Sequence, residues 1–212
     1  MSNDVFESIS QGGYGAYDEE NRRIQEISDE LHRRSQLYAT QLRDGKVVGN
    51  SFEIEQRAAE DYAKSEGMWI PMDNIFDLGT PGPSGNENDT YVSDDIVYKV
   101  NNLLNCGSIS RLLEKIACHN VLFPNTFYRI YGFTGFDGRS VMPILQQGLV
   151  KDATSATQIM IDTYMSALGF VKQNEVGRYS NATYIVWDLV PRNVLVDADG
   201  DMYVVDAEIK KI

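Results

Sequence analysis

The stretch YIVWDLVPRNVLVDADGDMYVVDAE, residues 184–208, limits the possible folds more than any other segment of the chain. Two apolar runs, NVLVD and MYVVD, are joined by Ala198-Asp199-Gly200, which predicts a β-hairpin. A further apolar run, YIVWDL, precedes them. Pro191 lies between that run and the hairpin and imposes a loop, because proline lacks the N–H that a strand ladder needs. Asp188 and Asn193 stand five apart on this loop, and the hairpin returns the chain to Asp206 eighteen residues after Asp188. Two carboxylates and one amide are thereby expected at one rim. That set suits phosphoryl transfer: one carboxylate orients a hydroxyl proton, while the other and an amide oxygen hold magnesium against phosphates.

Charge and composition narrow the remaining possibilities. With 31 acidic against 19 basic side chains the net charge is -12, a field that repels phosphate backbones and argues against bulk nucleic-acid binding. No apolar run approaches a membrane span, and the opening MSNDVFESIS has neither the basic end nor the apolar centre of a signal peptide, so a cytoplasmic address without membrane partners is expected. Cys106 and Cys118, with His32 and His119, are too few for a disulfide framework or a Cys/His zinc site. Two buried, reduced thiols are the expectation. The 8 Phe, 12 Tyr and 2 Trp supply more aromatic surface than a solvated coil carries, so a packed core should form.

Residues 1–17, with QGGYGAY and no periodicity, read as a fraying leader. Ile24, Ile27, Leu31, Tyr38 and Leu42 recur at helical spacing from Glu19 to about Leu42, with Gly45 as a stop. Fewer than four heptads make packing on the rest of the chain a better fate for this stripe than a coiled coil. Asn50, with Glu53 three residues on, signals a second helix through Ala58, Ala59, Tyr62 and Ala63, ended at Gly67. LGTPGPSGNENDTYV followed by Ile96 to Val100 reads as strand, Gly-rich turn, strand. Residues 108–123 place Ile109, Leu112, Leu113, Ile116 and Ala117 on one helical face. A hairpin with its turn at Asp137-Gly138 follows, then a helix from roughly Ser155 to Leu168 that begins after Thr154.

The 188–206 pattern resembles the catalytic loop of protein kinases, H-R-D-L-x-x-x-N, followed by the magnesium-binding D-F-G, and it aligns without a gap. Asp188 matches the catalytic-loop aspartate, Asn193 the metal-binding asparagine and Asp206 the D-F-G aspartate; Arg192 resembles the arginine of tyrosine-kinase loops. Together with IVYKVNN, FPNTFYRIYGFTGFDGR and YMSALGF, the chain from about Trp69 to Ile212 resembles the kinase-like domain of polyvalent proteins found in phages and conjugative elements.

This resemblance implies a reduced, two-lobed, protein-kinase-like α+β fold with an N-terminal helical extension. Its parts would be a leader and extension over 1–68, a small lobe over 69–146, and a truncated large lobe carrying the catalytic-loop hairpin over 147–212. It also implies an ATP- and magnesium-dependent phosphotransferase of unknown acceptor, with ATP between the lobes. Gly82 and Gly85 would cover the phosphates, Lys99 would contact them, Glu114 would be the helix carboxylate, and Met142 to Gly148 would form the last strand and hinge. Asn193 and Asp206 would hold the metal, and Asp188 would orient the acceptor hydroxyl.

Val186 and Trp187 stand where the family has His and Arg, Ala207 and Glu208 where it has Phe and Gly, and the chain given ends six residues after Asp206. These departures keep a second class open, a pseudokinase or interaction module that retains the fold without catalysis. Two other patterns carry less. DADGD lacks the Gly and Glu positions of an EF-hand and reads as a turn, and Asn181-Ala182-Thr183 is an incidental glycosylation pattern in a cytoplasmic chain.

Overall fold

A computed structural model describes residues 14–45, 49–136 and 140–212. The expected turn at Asp137-Gly138 and most of the expected leader lie outside the described residues. The chain divides into two compact units, one of residues 18–114 with 128–148, the other including 115–127 and 149–212.

Two helices open the first unit. Helix α1, Tyr14–Arg43, starts within the stretch that the sequence assigned to the leader. It buries Ile24, Ile27 and Leu31, whereas Tyr38 and Leu42 further along the stripe are half-buried. Glu20 is buried beside this stripe and accepts from the Ile130 N–H; desolvation raises its pKa despite the neighbouring Arg23 and Arg129. Helix α2, Ser51–Ser65, begins with the box that the sequence predicts: Asn50 Oδ1 accepts from Glu53 N at 3.0 Å, and the Glu53 carboxylate accepts from Asn50 N at 2.9 Å. Its Ala58, Ala59 and Ala63 are fully buried, and small side chains there permit close approach to the sheet. Gln56 accepts from the Val141 N–H, and the Tyr62 ring meets Phe133 edge-on at 6.3 Å.

That sheet has five strands in the order β1-β2-β3-β5-β4, each antiparallel to its neighbours. The strands are β1 (Thr80–Pro81), β2 (Asn88–Ser93), β3 (Ile96–Asn101), β4 (Arg129–Phe136) and β5 (Ser140–Gly148). A 3₁₀ turn, Met72–Leu78, sends Ile75 and Leu78 onto Tyr91, Val100 and Ile144. The short β1 pairs Thr80 with Val92 and Pro81 with Tyr91, so residues 82–87 are the loop of a hairpin.

Helix α3, Ile109–Leu122, contributes residues 109–114 to the first unit and residues 115–122 to the second. Its N-terminus is capped from α2: Glu55 accepts from the N–H groups of Ile109 and Ser110, both at 3.0 Å. A carboxylate there satisfies orphan donors and opposes the positive end of the helix dipole.

The second unit is built from short elements. These are β6 (Thr154–Ser155), helix α4 (Gln158–Ala167), β7 (Val171–Lys172), β8 (Tyr179–Ser180), β9 (Tyr184–Trp187), β10 (Val194–Val196), β11 (Met202–Val204) and β12 (Glu208–Lys211). They form a three-stranded sheet, β11-β10-β6, and a four-stranded one, β12-β9-β8-β7. Phe123, Ile161, Met165, Phe170, Tyr179 and Val186 lead its core. The helix expected after Thr154 instead starts at Gln158, capped by the Thr157 side chain, because Thr154 and Ser155 pair with Val196 and Leu195. Cys118, expected to be buried, is half-buried, whereas Cys106 is buried.

Candidate active site

The loop between β9 and β10 is held from several sides. A 3₁₀ turn over Pro191–Asn193 uses proline where its missing N–H costs nothing. Asp188 adopts φ 60°, a left-handed conformation rare outside glycine and typical of constrained functional loops. Leu189 N donates to Gly177 O at 3.1 Å, and Gln158 Nε2 donates to Leu189 O at 3.2 Å. Gly177 has φ 72°, and a Cβ there would lie 2.8 Å from Leu189 O, so this close approach requires glycine.

Behind Gln158 stands a small polar network. The Tyr179 hydroxyl donates to Asp162 Oδ1 at 2.6 Å and accepts from Gln158 Nε2, while Lys172 pairs with the other Asp162 oxygen. Burial pushes the Tyr179 phenol up, and the hydrogen bond to Asp162 adds to the effect. Partial desolvation raises the Asp162 carboxyl, but hydrogen bonds from Lys172, Tyr179 and Gln158 outweigh it and leave a net lowering. Nothing in the sequence marked this network, because Gln158, Asp162 and Tyr179 belong to no motif and meet only through the fold.

Asn193 is almost fully buried, and its Nδ2 donates to Asp188 O at 2.8 Å and to Asp188 Oδ2 at 2.9 Å. Arg192 pairs with the other Asp188 oxygen. Both carboxylate oxygens are therefore engaged, and 40% of the side chain remains exposed. Since Asn193 spends its amide nitrogen on Asp188, its Oδ1 is left as the acceptor end. Across the β10–β11 hairpin, Val205 N and Asp206 N point to Asn193 O at 2.9 and 3.4 Å. Glu208 lies opposite Trp187 in the β12–β9 register, which brings the chain just beyond Asp206 alongside the residue before Asp188.

The Asp206 carboxylate lies 3.7 Å from Lys115 Nζ. Asn193 and Asp206 offer one amide and one carboxylate oxygen, a hard donor pair suited to magnesium, which commonly takes one or two protein carboxylates and completes its shell with water and phosphate. Among the described residues no group of three or more His, Cys, Asp or Glu side chains could hold a metal. DADGD is a turn in which Asp197 Oδ1 accepts from Asp199 N and Asp201 N. The residues at the departures from the kinase pattern are packed: Val186 and Ala207 are buried in the core of this unit, and the Arg178 guanidinium lies 5.8 Å from the Trp187 ring centre.

In the first unit, Lys99 lies on β3 opposite Thr90 and Leu145 and is 8% exposed. Its ammonium is 3.0 Å from the Tyr128 hydroxyl and 4.9 Å from the centre of that ring. Gly82 N donates to Thr90 O and Gly85 N to Asn88 O, so these two amides serve the hairpin itself. Thr90 Oγ1 also donates to Pro83 O. A Cβ on Gly82 would press on Thr90 Oγ1 at 2.9 Å, while one on Gly85 would meet nothing within 4 Å. Glu114 is exposed on α3, and it is the adjacent Lys115 that is buried. Met142 to Gly148 is strand throughout. Among the described residues no helix is long and apolar enough to cross a membrane.

Comparison with curated proteins gives no match. A family model described as a serine/threonine/tyrosine kinase found in polyvalent proteins matches residues 53–211, most of the chain, and reaches back from Trp69 into α2. The mixed helices and antiparallel sheets agree with it. The chain therefore belongs to the serine/threonine/tyrosine kinase family found in polyvalent proteins, and its α+β fold is kinase-like.

Proposed function

We propose that the chain is an ATP- and magnesium-dependent phosphotransferase. The observation that carries this reading is the double hydrogen bond from Asn193 Nδ2 to Asp188, which ties the amide to the aspartate five residues before it, while the Asp206 N–H reaches Asn193 O. In this reading Asn193 and Asp206 hold magnesium, which neutralises phosphate charge, a need made acute in a chain of net charge -12. Asp188 orients the acceptor hydroxyl and receives its proton. Arg192 and Asn193 fix the rotamer that lets it do so. Lys99 supplies a positive charge to the phosphates from a buried position with little conformational freedom to lose. Gly82 and Gly85 contribute space rather than N–H donors, since their amides serve the hairpin.

The test is thermal denaturation with ATP and magnesium, separately and together. Stabilisation by ATP that depends on magnesium is the expected result. Binding without any turnover would instead favour an interaction module that keeps the fold, and no response to either ligand would remove the nucleotide reading. Gly85→Ala sharpens the test, because no protein atom contacts a Cβ there. The variant should melt like the wild type and bind ATP more weakly if phosphates approach the loop.

A further inference from the structure

Leu189 follows Asp188, and both polar groups of its backbone are held from outside the loop. Its N–H donates to Gly177 O at 3.1 Å, and its carbonyl accepts from Gln158 Nε2 at 3.2 Å. Its side chain is buried in the core of the unit. Asp188 itself, at φ 60°, occupies a conformation that costs energy and persists only where the surroundings over-determine it. The clamp on Leu189 fixes the backbone on the far side of that strained residue.

The Gln158 end of the clamp is set by the fold and not by the loop. Tyr179 Oη and Asp162 Oδ1 lie 2.6 Å apart and both accept from Gln158 Nε2, at 3.0 and 3.3 Å, so one N–H is shared between them and the other is left for Leu189 O. Gln158 Oε1 is buried and, among the described residues, has no hydrogen-bond partner. A buried orphan oxygen is costly, yet turning the amide over would set that oxygen against Leu189 O and Asp162 Oδ1, two acceptors. Asp162 is in turn held by Lys172, and Tyr179 is paired with Val186 in the strand that leads into Asp188. Ala156 N donates to Val194 O at 2.8 Å, which ties the chain just before α4 to the residue after Asn193.

Resting on the phosphotransferase reading above, we propose that Gln158 is a positioning residue for Asp188. Asp162 and Tyr179 fix the sense of its amide, and the amide holds Leu189 so that Asp188 keeps the backbone from which it reaches the acceptor hydroxyl. In this role Gln158 contacts neither nucleotide nor metal, so its loss acts on the rate of transfer and leaves ATP and magnesium binding alone.

The experiment uses the full chain. Gln158→Met keeps an unbranched side chain at the first turn of α4 and removes the donors. Tyr179→Phe keeps the buried ring and removes only the hydroxyl that orients the amide, and it stands in should the first variant fail to fold. ATP turnover and the affinities for ATP and magnesium are measured for both beside the wild type, below the melting temperature of each. Turnover by Gln158→Met should fall about 10–100-fold, the scale of a small misplacement of a reacting group, with both affinities unchanged. Tyr179→Phe should lose less, because Asp162 still accepts from Gln158. Amide exchange without nucleotide should quicken at Leu189 and not at Leu168, whose N–H donates to Tyr164 O at the other end of α4.

Unchanged turnover would overturn the proposal. So would affinities that fall in step with turnover, which marks a general loosening of the unit, or unchanged exchange at Leu189, which shows that the loop does not lean on Gln158. A wild type without magnesium-dependent ATP turnover defeats the phosphotransferase reading first, and the positioning role falls with it. Normal wild-type turnover beside unchanged variants defeats the positioning role alone.

Discussion

The side chain of Asn193 grips Asp188 twice, at the main-chain carbonyl and at the carboxylate, across a loop whose Asp188 has φ 60°. Asn193→Asp keeps the shape and an oxygen for a cation but removes both donors and sets a second carboxylate against Asp188. The variant should lose about 1–3 kcal/mol at neutral pH, the cost of an orphaned buried acceptor, and recover part of it as acid neutralises one carboxylate. Urea midpoints across pH check this.

Gly177→Ala strains a backbone at φ 72° and pushes a methyl toward Leu189 O. A loss of at least about 1–2 kcal/mol follows from the left-handed conformation alone. ATP turnover should fall as well, because Leu189 follows Asp188 directly. A variant with wild-type stability would show that the loop moves away without cost.

Asp162 titrates below its usual 3.8 because Lys172, Tyr179 and Gln158 together outweigh its desolvation. Its contribution is then fully present above the unfolded-state value and is lost as pH falls through the lower folded value. The stability difference between wild type and Asp162→Asn should hold steady above about pH 5, given ordinary carboxylate pKa values, and shrink below 3.8. A difference independent of pH down to acid unfolding would deny the carboxylate this role.

Glu55 caps α3 through two backbone N–H groups and the Ser110 hydroxyl. Glu55→Ala should cost about 0.5–2 kcal/mol, as lost helix caps do. Chemical denaturation of the two proteins measures it.

Elements with local signals were legible in the sequence. The Asn50 and Glu53 box, the stripe of Ile109, Leu112, Leu113 and Ile116, and the hairpin around Ala198-Asp199-Gly200 depend on neighbours within a few residues. What was not legible depends on distant partners. Thr154 and Ser155 are a strand only because Val196 and Leu195 lie beside them, so helix α4 starts later than expected. In the run LLEK, Glu114 and Lys115 look alike as surface charges; the fold exposes the first and buries the second against Glu208, ninety-three residues away. Lys99 sits in a strand that alternation alone would half expose, yet β3 is flanked by β2 and β5, and Val100 and Asn101 are buried with it. The Asp188, Asn193 and Asp206 spacing stood out because it is local except for one hairpin return. The network of Gln158, Asp162 and Tyr179 behind that loop did not, since no short-range pattern joins those residues.

If Asp188 and Asp206 perform different parts of one phosphoryl transfer, ATP consumption by wild type, Asp188→Asn and Asp206→Asn at matched concentration separates their roles. Asp188→Asn should retain magnesium-dependent ATP binding while turnover falls by about two to four powers of ten, the usual effect of removing a positioned acid or base. Asp206→Asn should lose both turnover and the magnesium dependence of binding. Equal ATP consumption by all three proteins would show that neither aspartate takes part in the transfer.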